Sequence, residues 1–363
     1  MKSPAGILYV IDTLRRGGTE LQLAGLIARL DRKRFSPRLI TLRDHEVDVL
    51  PPDCPHLELG MDSLASVTGL GALNRLRREL RTHDIRICQT FFQDATLMGG
   101  LASAWARTPV RLGSFRDLGF WRTRRQELVL RPLYRSLTGF IANSTAVRDH
   151  FCSHDHLDPA RVTVIPNGLD TAAIPFRPPR AVPTVVGIVG NLTRPVKRID
   201  LFVEAAGRLA AAHPGVRWEV VGDGGLRPAL EDQARRLGLG DRLVFRGRCP
   251  DVPAILATWD VGVLCSDSEG FSNALLEYLL AGCVAVATDV GGNREAVQHD
   301  RTGLLVPTGD AQALAAAVDR CLGDHALRTR LAEAARTDAV SRFDWNTCVA
   351  AHEDLYRRLL ADH

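Results

Sequence analysis

The sequence predicts an α/β protein built from two domains with parallel sheets. Apolar runs of four to six residues alternate with segments of helical period, which is the pattern of βα units. At about 150 residues per domain, a chain of 363 residues is long enough for two domains. Residues 165–183 divide the alternation into two series, because they hold five of the nineteen prolines and no apolar period. Such a stretch is typical of a linker between domains.

The first series contains three strands and two helices that the periodicity predicts. They are, in chain order, Ile7–Ile11, a helix over 21–30, Arg38–Leu42, a helix over 72–81 and Ile85–Cys88.

The second series begins with a strand at Val185–Val189 and a helix that ends at Leu209. The further strands are short apolar runs at Trp218–Val221, Leu243–Phe245, Val261–Leu264 and Val284–Ala287. A helix is predicted between the last two strands. It ends near Ala281, and either Ser272 or Asn273 is its N-cap.

Composition excludes several classes of protein. With 45% hydrophobic and 24% charged residues, the chain is neither disordered nor collagenous nor a coiled coil. A net charge of +4 indicates no nucleic-acid partner. The eight cysteines include no C-x-x-C pair, which argues against a zinc site or disulfide scaffold and favours a reducing compartment. The apolar stretch at the start is too short for a signal peptide or membrane span, so we expect a soluble, cytoplasmic protein.

An arginine-rich segment lies in the first half. Residues 107–148 hold nine arginines against Asp117 and Glu127, interleaved with aromatic residues such as Phe120 and Trp121. One interpretation is a face for anionic lipid or a phosphorylated acceptor. The other is a solvated helix pair whose arginine stems pack on the core.

The stretch Leu264–Ala287 carries the strongest chemical signal. A strand is followed by a loop with Glu269 and Gly270 and then by a helix N-terminus, whose unpaired N–H groups and dipole suit a diphosphate. Glu277 lies one turn further along the helix, where its carboxylate would accept from both hydroxyls of a ribose. Glu269 would face the group beyond the phosphates. Alternatively, Glu277 is a surface helix residue and Glu269 an ordinary loop residue.

A second candidate lies in the loop after the strand Val185–Gly190. It contains Arg194 and Lys197, and lysine is rare because only three of the 46 basic residues are lysines. Ligands of open α/β sheets bind at the carboxyl ends of strands, so the pair could neutralise a diphosphate. The alternative is that both are ordinary surface cations.

Other patterns are weaker. Glycine pairs at 17–18, 224–225 and 291–292 follow predicted strands, where they suit either a phosphate or a tight turn. None has the spacing of a nicotinamide site. His154-Asp155-His156 has the alternation of a strand and lacks a third metal ligand nearby. The sequence has no H-E-x-x-H and no G-x-S-x-G.

Four motifs in this order resemble those of glycosyltransferase family 4. They are Gly17-Gly18-x-Glu20, Ile165-Pro-Asn-Gly-Leu-Asp170, Arg194-x2-Lys197 and the E-x7-E motif from Glu269 to Glu277. The resemblance covers essentially the whole chain. It implies the GT-B fold, in which two Rossmann-like domains face each other across a cleft and a C-terminal helix returns to the N-terminal domain. The expected parts are an acceptor-binding domain over 1–168, a linker over 169–183, a nucleotide-sugar-binding domain over 184–342 and the returning helix over 343–363.

The resemblance also implies roles for individual residues. Arg194 and Lys197 would hold the donor diphosphate, Glu277 the ribose and Glu269 the sugar hydroxyls. The other donor-binding residues that it implies are Gly18, Gly190, Gly247, Gly270, Phe271, Ser272 and Asn273.

One departure from the family concerns the catalytic residues. Besides Arg194, Lys197 and Glu269 we assign Arg116 and Asp117, which stand where many members have a histidine. Either one of these two orients the sugar or the acceptor, or the enzyme is atypical at this position. The family's upstream H-x-H likewise reads Gln89-Thr90-Phe91 here.

The resemblance implies a retaining hexosyltransferase that uses no metal ion and no cofactor. Its donor would be a UDP- or GDP-sugar, and its acceptor a saccharide or lipid-linked saccharide of bacterial envelope or exopolysaccharide synthesis. We expect it on the inner face of the plasma membrane, with peripheral contact to anionic lipid. The alternatives are a sugar-nucleotide epimerase of the same fold and a non-catalytic sugar-binding protein.

Overall fold

The computed structural model describes residues 3–64, 66–119 and 123–362. The chain folds as two compact units. One comprises Met1–Gly168 and Trp345–His363, and the other comprises Leu169–Asp344.

The first unit is built around a parallel sheet. Seven strands pair in the described part of this unit, in the order β3-β2-β1-β4-β5-β6-β7. They are β1 (Ala5–Ile11), β2 (Phe35–Thr41), β3 (His56–Glu58), β4 (Ile85–Phe91), β5 (Val110–Phe115), β6 (Gly139–Ala142) and β7 (Val162–Val164). The helices between them are α1 (Gly18–Arg29), α2 (Val67–Thr82), α3 (Gln93–Ala106), α4 (Arg124–Ser136) and α5 (Thr145–His154).

Both faces of this sheet are covered, as is usual for parallel sheets. Ile7, Tyr9 and Ile11 of β1 enter one apolar cluster, while Leu8 and Val10 enter another. The three predicted strands and two predicted helices of this half are confirmed, with shifted ends. Strands β5 to β7 were not predicted, because polar residues interrupt the apolar run of β5, while β6 has only four residues and β7 only three.

The second unit has a parallel sheet of the same kind. Six strands pair in its described residues, in the order β10-β9-β8-β11-β12-β13. They are β8 (Val185–Val189), β9 (Arg217–Val221), β10 (Leu243–Gly247), β11 (Val261–Leu264), β12 (Val284–Thr288) and β13 (Leu304–Val306). The helices are α6 (Ile199–Leu209), α7 (Arg227–Arg236), α8 (Val252–Leu256), α9 (Asn273–Ala281), α10 (Asn293–Ala296), α11 (Ala311–Gly323) and α12 (His325–Phe343).

The strand order of this second sheet determines where a ligand site forms. It changes direction at β8, whose neighbours are β9 on one side and β11 on the other. In open α/β sheets, ligands bind outside the carboxyl ends of the strands at such a switch point. The loop with Lys197 follows β8, and the loop with Glu269 follows β11. The topology therefore brings these two loops to one edge of the sheet.

The proline-rich segment 169–183, which we expected as a linker, is bound to the second unit. Asp260 accepts hydrogen bonds from the backbone of Thr184 and Val185 and pairs with Arg177 and Arg180. Arg328 donates to the carbonyls of residues 180 and 181. The chain therefore passes between the units at Gly168–Leu169 and again at Asp344–Trp345.

The last helix, α13 (Trp345–Ala361), completes the core of the first unit. Tyr356 is fully buried there, where its hydroxyl lies 3.1 Å from that of Tyr9 and donates to Gln89 Oε1 at 2.5 Å. Trp345 packs over Gly168, which has no room for a side chain. Phe343 and Asp344, which we expected to open this helix, belong to the second unit.

Candidate functional site

The loops after β8 and β11 meet at Lys197 and Glu269. Lys197 Nζ lies 2.6 Å from Glu269 Oε1, and Ser266 Oγ donates to the same oxygen at 2.6 Å. Glu269 is 8% exposed, so the loop holds its carboxylate in place while the ammonium group of Lys197 stays accessible. Two residues 72 positions apart therefore form one charged pair at the edge of the sheet.

The backbone around Lys197 is held in an unusual shape. Lys197 ends a short 3₁₀ turn, and Arg198 follows with a φ of +46° in the left-handed region. Non-glycine residues rarely adopt this conformation. The guanidinium of Arg198 pairs with Asp200 and Asp267, which stabilises the shape and raises its pKa. Val196 O also accepts from Asp267 N at 2.8 Å, so the two loops are tied together on both sides of Lys197.

The N-terminus of α9 lies directly after Glu269. Ser272 is the N-cap, since its Oγ accepts from Leu275 N, and the helix begins at Asn273. The phenyl ring of Phe271 is buried 5.3 Å from the ring of Phe343. Phe271 therefore presents only backbone to a ligand, as does Gly270. This geometry fits the expected anion-binding helix N-terminus.

Glu277 lies on the same helix, one turn further in. Burial raises the pKa of its partly buried carboxyl to about 7. Among the described residues, neither a hydrogen-bond donor nor a cation pairs with the Glu277 carboxylate. A desolvated carboxyl without such a partner is unfavourable for folding, whereas hydroxyl donors from a ligand would compensate it.

Gly291 packs closely against the backbone of Glu269. It has a φ of +48°, and a Cβ at this position would overlap the carbonyl oxygen of Glu269. Nearby, the buried Thr288 at the end of β12 donates from Oγ1 to Ser266 O at 2.7 Å. From the sequence, Gly291-Gly292 suited either a phosphate or a tight turn. Its steric reason, the close approach of Glu269, is visible only in the structure.

We expect Gly291→Ala to destabilise the chain more than an alanine substitution at a glycine that has a positive φ but free space around it. Gly240→Ala is the matched control, because Gly240 has a φ of +50° with nothing within 4 Å of an added Cβ. A left-handed alanine costs about 1 kcal/mol, and overpacking adds about 1–3 kcal/mol. Thermal unfolding should show the larger decrease in Tm for Gly291→Ala. Equal decreases would contradict the tight fit under Glu269.

The remaining predicted residues of the second unit have different surroundings. Arg194 is exposed three residues before Lys197, and no carboxylate pairs with it among the described residues. Gly190 and Gly247 lie at the ends of β8 and β10. A Cβ on Gly222 would overlap the carbonyl oxygen of Gly190, so the glycines after β9 allow close backbone packing under the 190–194 loop.

Gly18, Arg116 and Asp117 belong to the first unit. Gly18 begins α1, and Arg116 follows β5. Arg116 Nη2 donates to Asn167 Oδ1 at 2.5 Å, and burial lowers the pKa of its guanidinium to about 10. Asp117 Oδ1 accepts from Gly119 N at 2.7 Å, which shapes its own loop.

The residues in place of the family's H-x-H point into the protein interior. Gln89 and Thr90 are each 1% exposed. Gln89 Nε2 donates to Ser114 Oγ at 2.9 Å, and Thr90 Oγ1 donates to Leu112 O at 3.1 Å. Both side chains are therefore occupied by internal hydrogen bonds.

Sequence reasoning missed a partly buried carboxyl, that of Asp12, directly after β1. Asp12 Oδ1 accepts from Ala95 N at 2.6 Å, in the first turn of α3, where the N-cap Phe92 has no capping side chain. Burial and the carboxylate of Asp94 raise the pKa of Asp12 to about 7. Asp12 therefore caps the N-terminus of α3, although it lies 83 residues before Ala95 in the chain. Sequence patterns identify N-caps only next to the helix that they cap.

His154-Asp155-His156 does not lie on a strand, which corrects the expected alternation. His154 ends α5, and Asp155 pairs with Arg131. Within residues 3–64, 66–119 and 123–362, no three His, Cys, Asp or Glu side chains are grouped as metal ligands would be. In the same ranges, no helix is both long and apolar enough to cross a bilayer.

Models of known families match most of the chain in two consecutive pieces. The Glycosyltransferase Family 4 model matches residues 16–173, and the Glycosyl transferases group 1 model matches residues 183–324. With its two parallel-sheet units, the chain is a GT-B-type protein of the glycosyltransferase class. It belongs to glycosyltransferase family 4, which confirms the resemblance of its motifs.

Two curated relatives illustrate the range of this family. Glycogen synthase of Mycobacterium tuberculosis is 35% identical over 228 residues, which are 62% of this chain and 55% of that protein. The match thus spans little more than half of the glycogen synthase. Phosphatidyl-myo-inositol mannosyltransferase of Mycolicibacterium smegmatis is 29% identical over 342 residues, which are 85% of each chain.

Solved structures share the fold over almost the whole chain. HepE from Anabaena in complex with UDP has a TM-score of 0.86 at 24% identity, over 97% of this chain and 99% of that one. Sucrose-phosphate synthase from Thermosynechococcus elongatus has a TM-score of 0.80 at 20% identity, over 99% and 100%. These likenesses confirm the GT-B fold.

Proposed function

We propose that this protein is a retaining hexosyltransferase that moves a sugar from a nucleoside-diphosphate sugar to a saccharide or lipid-linked saccharide. The observation that carries the proposal is the 2.6 Å contact between Lys197 Nζ and Glu269 Oε1 beside the N-terminus of α9. A sugar diphosphate needs a cation and N–H groups for its phosphates and a carboxylate for its hydroxyls. Membership of glycosyltransferase family 4 supports the same activity.

The charges at the site account for the chemistry. When the bond between the anomeric carbon and the diphosphate oxygen breaks, negative charge grows on the diphosphate and the sugar becomes cationic. Lys197, Arg194 and the N-terminus of α9 stabilise the leaving diphosphate, and each such donor is worth about 3 kcal/mol by comparison with oxyanion holes. In this scheme the two cations take the role that a metal ion has in other sites.

Retention of configuration follows if the acceptor enters from the side of the leaving group. The acceptor oxygen forms the new bond to the anomeric carbon, and its proton passes to the departing diphosphate oxygen. No protein nucleophile is then required. Glu269, fixed by Ser266 Oγ at 2.6 Å, orients the sugar hydroxyls, while Glu277 accepts from the ribose.

The proposed donor nucleotide contains either uracil or guanine. UDP is the first choice to test, because HepE was solved with UDP and with UDP-glucose. We propose that the acceptor belongs to envelope or exopolysaccharide synthesis, since relatives include a lipopolysaccharide core biosynthesis glycosyltransferase of Rhizobium meliloti.

We expect one nucleoside diphosphate to stabilise the chain in thermal melting. A ligand at about 100 times its Kd adds about 2.7 kcal/mol, so UDP or GDP should raise Tm and NAD should not. Lys197→Ala should abolish the shift, while Lys33→Ala should keep it because Lys33 is an exposed lysine of the first unit. If neither nucleotide raised Tm, or if Lys197→Ala left the shift intact, the proposed site would be wrong.

We further propose peripheral contact with the inner face of the plasma membrane through α4. This helix exposes Leu128 by 71% and Val129 by 52% in the arginine-rich segment. Arg111, in the same segment, stabilises the fold instead, since it donates to the carbonyls of Thr108 and Ser136. Phe120 and Trp121, which the sequence placed on this face, lie outside the described residues.

The chain should therefore sediment with vesicles of anionic lipid at low salt and be released as salt screens the arginines. Replacing both Leu128 and Val129 by glutamine should reduce binding at least 10-fold, because about 0.8 kcal/mol is lost per CH₂ withdrawn from lipid and about 1.4 kcal/mol corresponds to a tenfold change in affinity. Leu237→Gln is the control, since Leu237 is 42% exposed on the second unit. Equal binding of both variants would refute α4 as the contact.

A further inference from the structure

Lys197 and Glu269 neutralise each other within the protein. The lysine Nζ lies 2.6 Å from Glu269 Oε1, and the two side chains are 29% and 9% exposed. A charge-assisted hydrogen bond this short, partly shielded from water, is stronger than one on an open surface. A phosphate group that pairs with Lys197 therefore has to take it from Glu269.

Glu269 is the fixed member of this pair. Its Oε1 also accepts from Ser266 Oγ at 2.6 Å, and Ser266 is fully buried. Its backbone is packed against Gly291, where an added Cβ would overlap the Glu269 carbonyl oxygen. The carboxylate is thus held in its place by contacts that do not involve the lysine.

Lys197 is the movable member. Its backbone is held, since Arg198 pairs with Asp267 at 3.1 Å and Val196 O accepts from Asp267 N at 2.8 Å. Among the described residues, the ammonium group has no acceptor other than Glu269. Its flexible four-carbon stem allows it to rotate about the fixed backbone. A diphosphate therefore separates the pair by moving the lysine side chain alone.

Separating the pair leaves the Glu269 carboxylate without its cation. The residue is 8% exposed, so water reaches it only in part, and a shielded carboxylate that lacks donors is unfavourable. The hydroxyl groups of a bound sugar supply such donors. A free nucleoside diphosphate has no sugar to supply them, and its negative charge repels the carboxylate. The two ligands therefore differ in the cost of taking Lys197.

We propose that Glu269 makes the site selective for a nucleoside-diphosphate sugar over the free nucleoside diphosphate, because it competes with the diphosphate for Lys197. This inference rests on the proposed function. While the sugar is bound, Lys197 turns to the diphosphate and Glu269 accepts from the sugar hydroxyls. Once the sugar has left with the acceptor, Glu269 recovers Lys197 and the nucleoside diphosphate dissociates more readily. The same pair thus promotes release of the product.

Glu269→Gln is the direct test, because the amide keeps the shape of the side chain and removes the charge that competes for Lys197. Titration calorimetry uses UDP, or GDP if only GDP stabilises the unmodified chain. The Kd should fall by about threefold or more in this variant, while kcat for transfer falls because the sugar loses its carboxylate. Asp289→Asn is the matched control, since Asp289 follows β12 and pairs with Arg294. It should leave the Kd unchanged.

Ser266→Ala tests the same competition in the opposite direction. Without the hydroxyl that donates to its Oε1, Glu269 depends more on Lys197, so the Kd for the nucleoside diphosphate should rise by about twofold. In the double variant Ser266→Ala/Glu269→Gln this rise should vanish, whereas a merely damaged loop would keep it. Ser266→Ala carries the test if Glu269→Gln does not fold.

Three results would overturn the inference. They are an unchanged or higher Kd in a folded Glu269→Gln, an equal gain in affinity in Asp289→Asn, and an unchanged or lower Kd in Ser266→Ala. Failure of the proposed function is distinguishable, because neither UDP nor GDP would then raise Tm in the unmodified chain. That result would remove this inference as well, whereas a Tm shift without tighter binding in Glu269→Gln would remove the inference alone.

Discussion

Lys197→Ala is expected to reduce kcat for sugar transfer by about 100-fold or more while leaving the fold intact. Lys197 is 29% exposed and contacts Glu269 Oε1 at 2.6 Å. In the proposed function its removal takes a cation from the place where charge develops on the diphosphate. Loss of one such donor costs about 3 kcal/mol in the transition state. Release of nucleoside diphosphate, measured against glycosylated acceptor, gives the rate.

Two comparisons make this expectation specific. Lys197→Arg retains the charge and should recover part of kcat, although a planar guanidinium does not replace a point charge fully. Lys33→Ala removes an exposed lysine of the first unit and should leave kcat unchanged. A Lys197→Ala enzyme that kept more than a tenth of the activity would show that the diphosphate is stabilised elsewhere.

Glu277→Gln is expected to have opposite effects on stability and binding. Burial raises the pKa of Glu277 from its ordinary 4.5 to about 7. The stability that follows from this raised pKa is fully present below pH 4.5 and is lost as the pH rises through about 7. At about 1.4 kcal/mol for each tenfold change in proton affinity, the loss is at most about 3 kcal/mol. Because the side chain is partly exposed, we expect about 1–2 kcal/mol.

Above pH 7 the glutamine variant should therefore unfold at a higher Tm than the unmodified chain, and near pH 4.5 the difference should vanish. Binding should change the other way, because a ribose needs the carboxylate: nucleotide affinity should fall at least 10-fold in the variant. In the unmodified chain the affinity should also fall as the pH drops below 7. Melting curves and calorimetry at several pH values measure both effects.

Glu333→Gln is the matched control for this experiment, since Glu333 is an exposed residue of α12 in the same unit. It should change neither the pH dependence of Tm nor nucleotide affinity. If Glu277→Gln lost stability at pH 8, the carboxylate would have a partner inside the protein, and its assignment to the ribose would fall.

The sequence predicted the strands and the helix around Lys197 and Glu269 more accurately than the elements of the first unit. Strands β8 and β11 match residue by residue, because continuous apolar runs are typical of strands buried on both faces. Helix α9 was predicted with either Ser272 or Asn273 as its N-cap, and the structure places Ser272 at that position. Strand β5 could not be found in this way, since the polar residues Arg111 and Ser114 interrupt its apolar run. Its Gly113 makes room for the ring of Phe140.

The contact between Lys197 and Glu269 was predictable only as two separate motifs. Their approach depends on β8 and β11 being neighbours, which local periodicity does not encode. The left-handed backbone of Arg198 and the steric need for Gly291 depend on the same packing. Sequence patterns thus identified which residues bear charge, while the geometry that orients them came from tertiary structure.

The double crossing of the chain between the units means that the second unit is an insertion within the first. Its two ends are neighbours, because Leu169 N donates to Phe343 O at 2.8 Å. On the side of the first unit, Gly168 and Trp345 are likewise in contact. Residues 169–344 therefore form a cassette with adjoining entry and exit points, and we expect that such cassettes can be exchanged among relatives at these two junctions. A fragment cut at Gly168, by contrast, would lack α13 and leave Tyr9 and Gln89 without their partner Tyr356.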